Sequence, residues 1–122
     1  MSTSVISYVN NTTAYTRGIP IHLQRLMMAQ YAGEADLKVR FEQLEIEVMT
    51  HLPTLLHVLE VDRPAAVLMF SLYAMPEDAD ERATLWAAAL ENGVVLHFAN
   101  EAEVVQSAAD RERIERILAF SR

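Results

Sequence analysis

A chain of 122 residues with 52 % apolar and 22 % charged side chains holds one domain with a core of its own, which excludes both a disordered polypeptide and a string of domains. Its net charge of −7, from 17 carboxylates against 10 basic residues, argues against unspecific attraction to phosphate backbones, and no run of Lys or Arg makes a local exception. Cysteine is absent, which removes disulfides, thiolate nucleophiles and the usual structural zinc sites together and suits a reducing cytoplasm.

Residues 1–19 stand apart in character. Ser, Thr, Asn and Tyr dominate them, Arg17 is their only charge, and they lack the basic flank and apolar centre of a signal peptide. The alternation Val5-Ile6-Ser7-Tyr8-Val9, then Thr13-Ala14-Tyr15-Thr16 after Asn10-Asn11, fits a short hairpin. An N-terminal arm that orders on a partner fits as well. Residues 20–122 are read as a single helical domain.

From Pro20, the residues Ile21, Leu23, Leu26, Met27 and Met28 open a helix that Gly33 is expected to cap in the left-handed conformation. The next segment is the most regular of the chain: Leu37, Phe41, Leu44 and Val48 recur at spacings of four, three and four, the mark of one helical seam over residues 34–51. Pro53 interrupts that helix or begins a new turn carrying Leu55, Leu56, Val58 and Leu59. Asp62 and Pro64 then introduce the almost uncharged run from Pro64 to Pro76, read as a central helix because Ala, Leu and Met prevail, with strand over Val67 to Tyr73 as the competing reading. At a dozen or so residues the run is too short for a membrane span.

Pro76-Glu-Asp-Ala-Asp-Glu opens another helix, whose first-turn acids face the positive end of the dipole, and Asn92-Gly93 closes it. Val94 to Phe98 is a strand candidate. Asn100 and Glu103 suggest a capping box for the last helical segment, which is expected to break near Ser107 to Asp110 before Ile114, Ile117, Leu118 and Phe120 dock the C-terminus. The fold class that emerges is mainly α: about five helices around a central apolar helix, with at most two or three short strands.

Chemistry finds little foothold in this sequence. Glu47 with His51, and His57 with Glu60, have spacings that could put two ligands on one helical face, but no fuller motif surrounds them, so neither a metal nor another cofactor is expected. His97 reads as a strand-face histidine, and Ser71 as a hydroxyl bonded to its own backbone. The three glycines are isolated, which disfavours a phosphate cradle.

The expectation is therefore a non-enzymatic protein of the cytoplasm that binds and sequesters a protein partner. An anti-activator of a transcription factor with a basic or apolar surface leads, and an immunity protein or secretion chaperone stands beside it. The rival from another class is a small enzyme or ligand-binding domain using His51, His57 or His97. No direct nucleic-acid contact and no membrane contact are expected. Partner binding is assigned to Tyr8, Tyr15, Leu26, Met27, Tyr31, Leu37, Phe41, Leu44 and Val48, the tyrosines because they bring large contact area at low entropy cost, and a homodimer through the Leu37 to Val48 seam is a further arrangement.

Overall fold

The computed structural model describes residues 3–10, 19–45 and 52–121. Within them the chain runs β1 (Thr3–Asn10), α1 (Ile21–Glu34), β2 (Leu37–Glu45), α2 (Pro53–His57), a π-helical turn (Val58–Asp62), β3 (Ala66–Met69), a 3-10 turn (Leu72–Ala74), α3 (Ala79–Glu91), β4 (Val95–Phe98), β5 (Glu103–Val105) and α4 (Ala108–Ser121). The five strands form one sheet in the order β2-β1-β3-β4-β5. All neighbours are parallel except β4 and β5.

This is an α/β architecture and corrects the expectation of a helical bundle. β1 is no hairpin or arm; it lies inside the sheet between β2 and β3. Residues Leu37–Glu45 are a strand rather than a helix, and a bulge explains the misleading spacing. Val39 is the partner of Val5 and Phe41 that of Ile6, so Arg40 is an extra residue. The insertion shifts the period of two by one place, so Leu37 and Leu44, seven apart, share the face under α1, while Phe41, which completes the four-three spacing, stands on the opposite face. Val48, the last member of the supposed seam, lies outside the described residues, as does Tyr15.

The apolar run that reads as a central helix is β3 and its exit. Ala66, Val67, Leu68 and Met69 are each 1 % exposed or less. A parallel strand covered on both faces is apolar at every position, so its periodicity carries no signal by which to separate it from a buried helix.

Each face of the sheet has its own cover. On one side α1 applies Met28 and Ala32 to Val5, Val9, Ala66, Leu68 and Phe70. On the other, α2, α3 and α4 apply Leu55, Leu85, Trp86, Ile114 and Leu118 to Ile6, Tyr8, Val67, Met69, Leu96 and Phe98. The Trp86 and Phe98 rings meet edge to face at 6.1 Å.

Some expectations for the helices hold. α3 is capped by Asp78, whose Oδ1 accepts from the Asp80 amide at 2.7 Å, and it ends at Asn92 with Gly93 at φ 69°. α1 runs past Gly33 to Glu34, and Asp36 rather than Gly33 takes the left-handed turn at φ 57°. The segment expected to cap the last helix forms β5 instead, and the cap of α4 lies further on, where Ser107 Oγ accepts from the Asp110 amide at 3.2 Å. Among the described residues, no helix is long and apolar enough to cross a membrane.

A buried arginine joins α3 to α4. Arg82, 7 % exposed, donates through Nε and Nη2 to the two oxygens of Glu115, each at 2.8 Å, and through Nη1 to the carbonyls of Pro76 and Glu77. Trp86 Nε1 donates to the same carboxylate at 3.0 Å. The hydrogen bonds from Arg82 hold the Glu115 carboxyl below its ordinary pKa, against the opposing effect of burial.

A carboxyl with a depressed native pKa contributes stability above its unfolded-state pKa, and that contribution disappears as the pH falls through the native value. Glu115→Gln should lower the unfolding free energy by about 2 kcal/mol near neutral pH, because a buried guanidinium loses its counter-charge. The deficit relative to the parent should shrink toward zero in acid, as followed by urea unfolding across a pH series.

Candidate functional site

In a sheet wound in two directions, the connections leaving neighbouring strands diverge to opposite faces and open a crevice at the carboxyl edge. Here the divergence falls between β1 and β3: the chain leaves β1 for α1 on one face, and it leaves β3 for α3 on the other. The described groups at that edge are Asn10 at the end of β1, Phe70 and Ser71 beyond β3, and Ala99 to Glu101 beyond β4.

The edge is organised by Glu101. Its Oε2 accepts from Ser71 Oγ at 2.6 Å, and its Oε1 accepts from the Leu72 amide at 3.0 Å. Backbone bonds extend the β3–β4 pairing past the strands, from the Ala99 amide to the Met69 carbonyl at 2.9 Å and from the Asn100 amide to the Phe70 carbonyl at 2.7 Å. Ser71 also accepts from the Tyr73 amide at 3.2 Å, so its hydroxyl is engaged on both sides and is only 1 % exposed. It is a fixed structural group that shapes the turn; the expected helix around it does not form, and its hydroxyl donates to the Glu101 side chain.

A second carboxylate marks the end of β2. Glu45, 2 % exposed, accepts from Tyr8 Oη at 2.9 Å and from the Thr54 and Leu55 amides at 3.2 and 3.4 Å, so it ties β1 to the start of α2. Tyr8 is thus a buried cross-link and not a contact surface. Three arginines are engaged away from this edge: Arg25 with Glu42, Arg82 with Glu115, and Arg113 with Asp110 and Glu103.

The residues assigned to partner binding are not brought together. Leu26 (65 % exposed) and Met27 (40 %) lie on the outer side of α1, whereas Phe41 (66 %) stands on the opposite face of the sheet beside Ile6. Leu37 and Leu44 are partly buried under α1. Tyr31 is also partly buried; its hydroxyl lies 2.8 Å from His97 Nδ1 and the two rings meet edge to face. Burial pushes the His97 pKa down, which favours a neutral ring with the tyrosine as donor.

The histidines do not converge either. His57 is exposed and 3.9 Å from Asp62, His97 lies on the α1 face of β4, and His51, with Glu47, lies outside the described residues. Among the described residues, no group of three or more His, Asp or Glu side chains is arranged to hold a metal ion.

No known family description and no curated protein matches this sequence. Solved structures do match. A resolvase family site-specific recombinase from Streptococcus pneumoniae superposes with a TM-score of 0.70 over 98 % of this chain and 85 % of its own, at 17 % identity. The N-terminal catalytic domain of TP901-1 integrase superposes with a TM-score of 0.68 over 96 % of this chain and 92 % of its own, at 19 % identity. The chain has the fold of recombinase and integrase catalytic domains.

That finding overturns the functional expectation. An anti-activator, with its companions the immunity protein and the secretion chaperone, was inferred from acidic charge and an apolar excess in a chain without a catalytic motif, and the fold is instead that of recombinase and integrase catalytic domains. The expectations of a non-enzyme and of no nucleic-acid contact go with it, since both neighbours are named for enzymes of DNA recombination. The crevice itself was invisible in the sequence because its geometry depends on strand order. The available signal was the succession of strand-like and helix-like segments around Val5–Val9, Ile21–Met28, Val67–Met69 and Val94–Phe98, which spells repeated βαβ units.

Glu101→Ala should release the turn after β3 at a cost of about 1–2 kcal/mol, the price of an unsatisfied amide and hydroxyl. Hydrogen exchange at the Leu72 amide should then accelerate roughly tenfold. An unchanged rate would mean that Glu101 does not hold the turn.

Proposed function

We propose that this chain is a DNA strand-exchange domain that acts by phosphoryl transfer at the carboxyl edge between β1 and β3. The observation that carries the reading is the fold, shared over nearly the whole chain with a site-specific recombinase and an integrase catalytic domain. At this identity the step from fold to reaction is one of analogy. The sequence continuing from Asn10 adds chemical support: Asn11-Thr-Thr-Ala-Tyr-Thr-Arg-Gly18 carries four hydroxyls and one guanidinium.

A covalent relay lets strands be exchanged without a nucleotide cofactor. A side-chain hydroxyl attacks the phosphorus, the deoxyribose oxygen departs and takes up a proton, and the phosphoester to the protein retains the bond for rejoining. A deoxyribose hydroxyl of another strand then attacks that ester, which restores the diester and returns the side-chain hydroxyl. In this reading the nucleophile is one of Thr12, Thr13, Tyr15 and Thr16, and Arg17 balances the charge that develops on the phosphoryl oxygens.

A net charge of −7 predicts weak retention of duplex DNA, so low salt is needed. The test is to incubate the protein at low salt with randomised duplexes that carry a nick, so that the short fragment is lost after the first step and the covalent adduct accumulates on a denaturing gel. One of Thr12→Val, Thr13→Val, Tyr15→Phe and Thr16→Val should abolish the adduct while the others retain it. Arg17→Gln should slow its formation roughly a hundredfold. Folded protein that forms no adduct with any duplex would refute the reading.

A further inference from the structure

The bulge in β2 gathers three side chains that simple alternation would separate. Val5 lies under α1 and Val39 is its partner on the same face, so their predecessors Ser4 and Lys38 stand on the opposite face. Phe41 is the partner of Ile6, which belongs to the core on that opposite face. Arg40 is the extra residue, and its Nε donates to Ser4 Oγ at 3.1 Å, which fixes its side chain on the face of Ser4. Lys38, Arg40 and Phe41 therefore share one face of an edge strand.

All three are exposed, and 66 % of Phe41 is open to solvent. Lys38 is the sole lysine of the chain. The acids on the same strand do not neutralise the two cations. Glu42 holds Arg25 through two bonds of 2.7 Å, and Glu45 is buried among Tyr8, Thr54 and Leu55. In a chain with a net charge of −7, this is an exposed aromatic ring beside two cations on a bulged edge strand.

A protein strand is a poor occupant, because a bulge and basic side chains are the features that discourage pairing at a sheet edge. A nucleic-acid duplex offers no free base face to the ring. We propose that this face of β2 binds single-stranded DNA, with an unpaired base stacked on Phe41 and the adjoining phosphates met by Lys38 and Arg40. Stacking on an aromatic ring combined with cations along the backbone is the general chemistry by which single strands are held without regard to sequence. The choice of DNA over RNA rests on the strand-exchange reading above, whereas the contacts themselves do not.

Fluorescence anisotropy of labelled oligo(dT) with the full chain, titrated over a series of salt concentrations, tests the assignment. Phe41→Ala should weaken binding roughly tenfold, and Phe41→Trp should retain it. Lys38→Gln with Arg40→Gln should reduce the slope of log affinity against log salt by about 1.4, that is about 0.7 for each lost phosphate contact. Circular dichroism should be unchanged in all of them, since the three side chains are exposed.

Unchanged affinity in Phe41→Ala, tighter binding of oligo(U) than of oligo(dT), or no retention of oligo(dT) at low salt would each overturn the proposal. Its failure is distinguishable from that of the strand-exchange reading. The covalent adduct with nicked duplexes should persist in Phe41→Ala, and oligo(dT) binding at Phe41 requires no adduct.

Discussion

A strand that is apolar on both faces can exist in water only if both faces are covered, and β3 imposes that requirement on the whole chain. Ala66 to Met69 have almost no exposure, so one layer of helix must lie on each side of them. α1 covers one side and α2, α3 and α4 the other. Because α1, α2 and α3 are also the connections between parallel strands, the demand for burial and the winding of the sheet are one constraint. The divergence of those connections opens the crevice at the carboxyl edge.

Polar cross-links then fix the geometry that burial alone would leave loose. Hydrophobic contact is non-directional, whereas a carboxylate with two or three donors specifies angles as well as distances. Glu115 aligns α3 with α4 through Arg82 and Trp86, Glu45 ties β1 to α2 through Tyr8, and Glu101 pins the exit of β3 to the turn after β4. Three of the acids behind the negative charge thus serve as internal fasteners. They are spent inside the fold rather than displayed to a basic partner.

Local chemistry was legible in the sequence where it acted over a few residues. The cap at Asp78 and the stop at Asn92-Gly93 are decided by neighbours in the chain, and the β4 strand by its own alternation. What escaped depended on partners distant in sequence. The burial of Ala66 to Met69 on two faces erased their period, and the bulge at Arg40 put Leu37 and Leu44, seven apart, on one face as a helix would. β5 was missed because three residues are too few to show a pattern of their own, and its pairing with β4 is what makes it a strand. The site was less legible than the fold. A crevice defined by strand order has no sequence motif, and Tyr8, chosen as a contact residue for its chemistry, proves to be an internal hydrogen-bond donor.

The extra residue in β2 makes length a property of this strand in its own right. Positions on either side of Arg40 obey opposite parity, with Leu37 and Val39 on the α1 face before it and Leu44 on that face after it. Individual side chains here can drift, since most of residues 38–42 are bathed in solvent. Loss of a single position would exchange inside for outside along everything upstream to the turn at Asp36. Such a strand can change its letters over evolutionary time far more readily than its count, and related chains should keep the insertion even where no residue of it is shared.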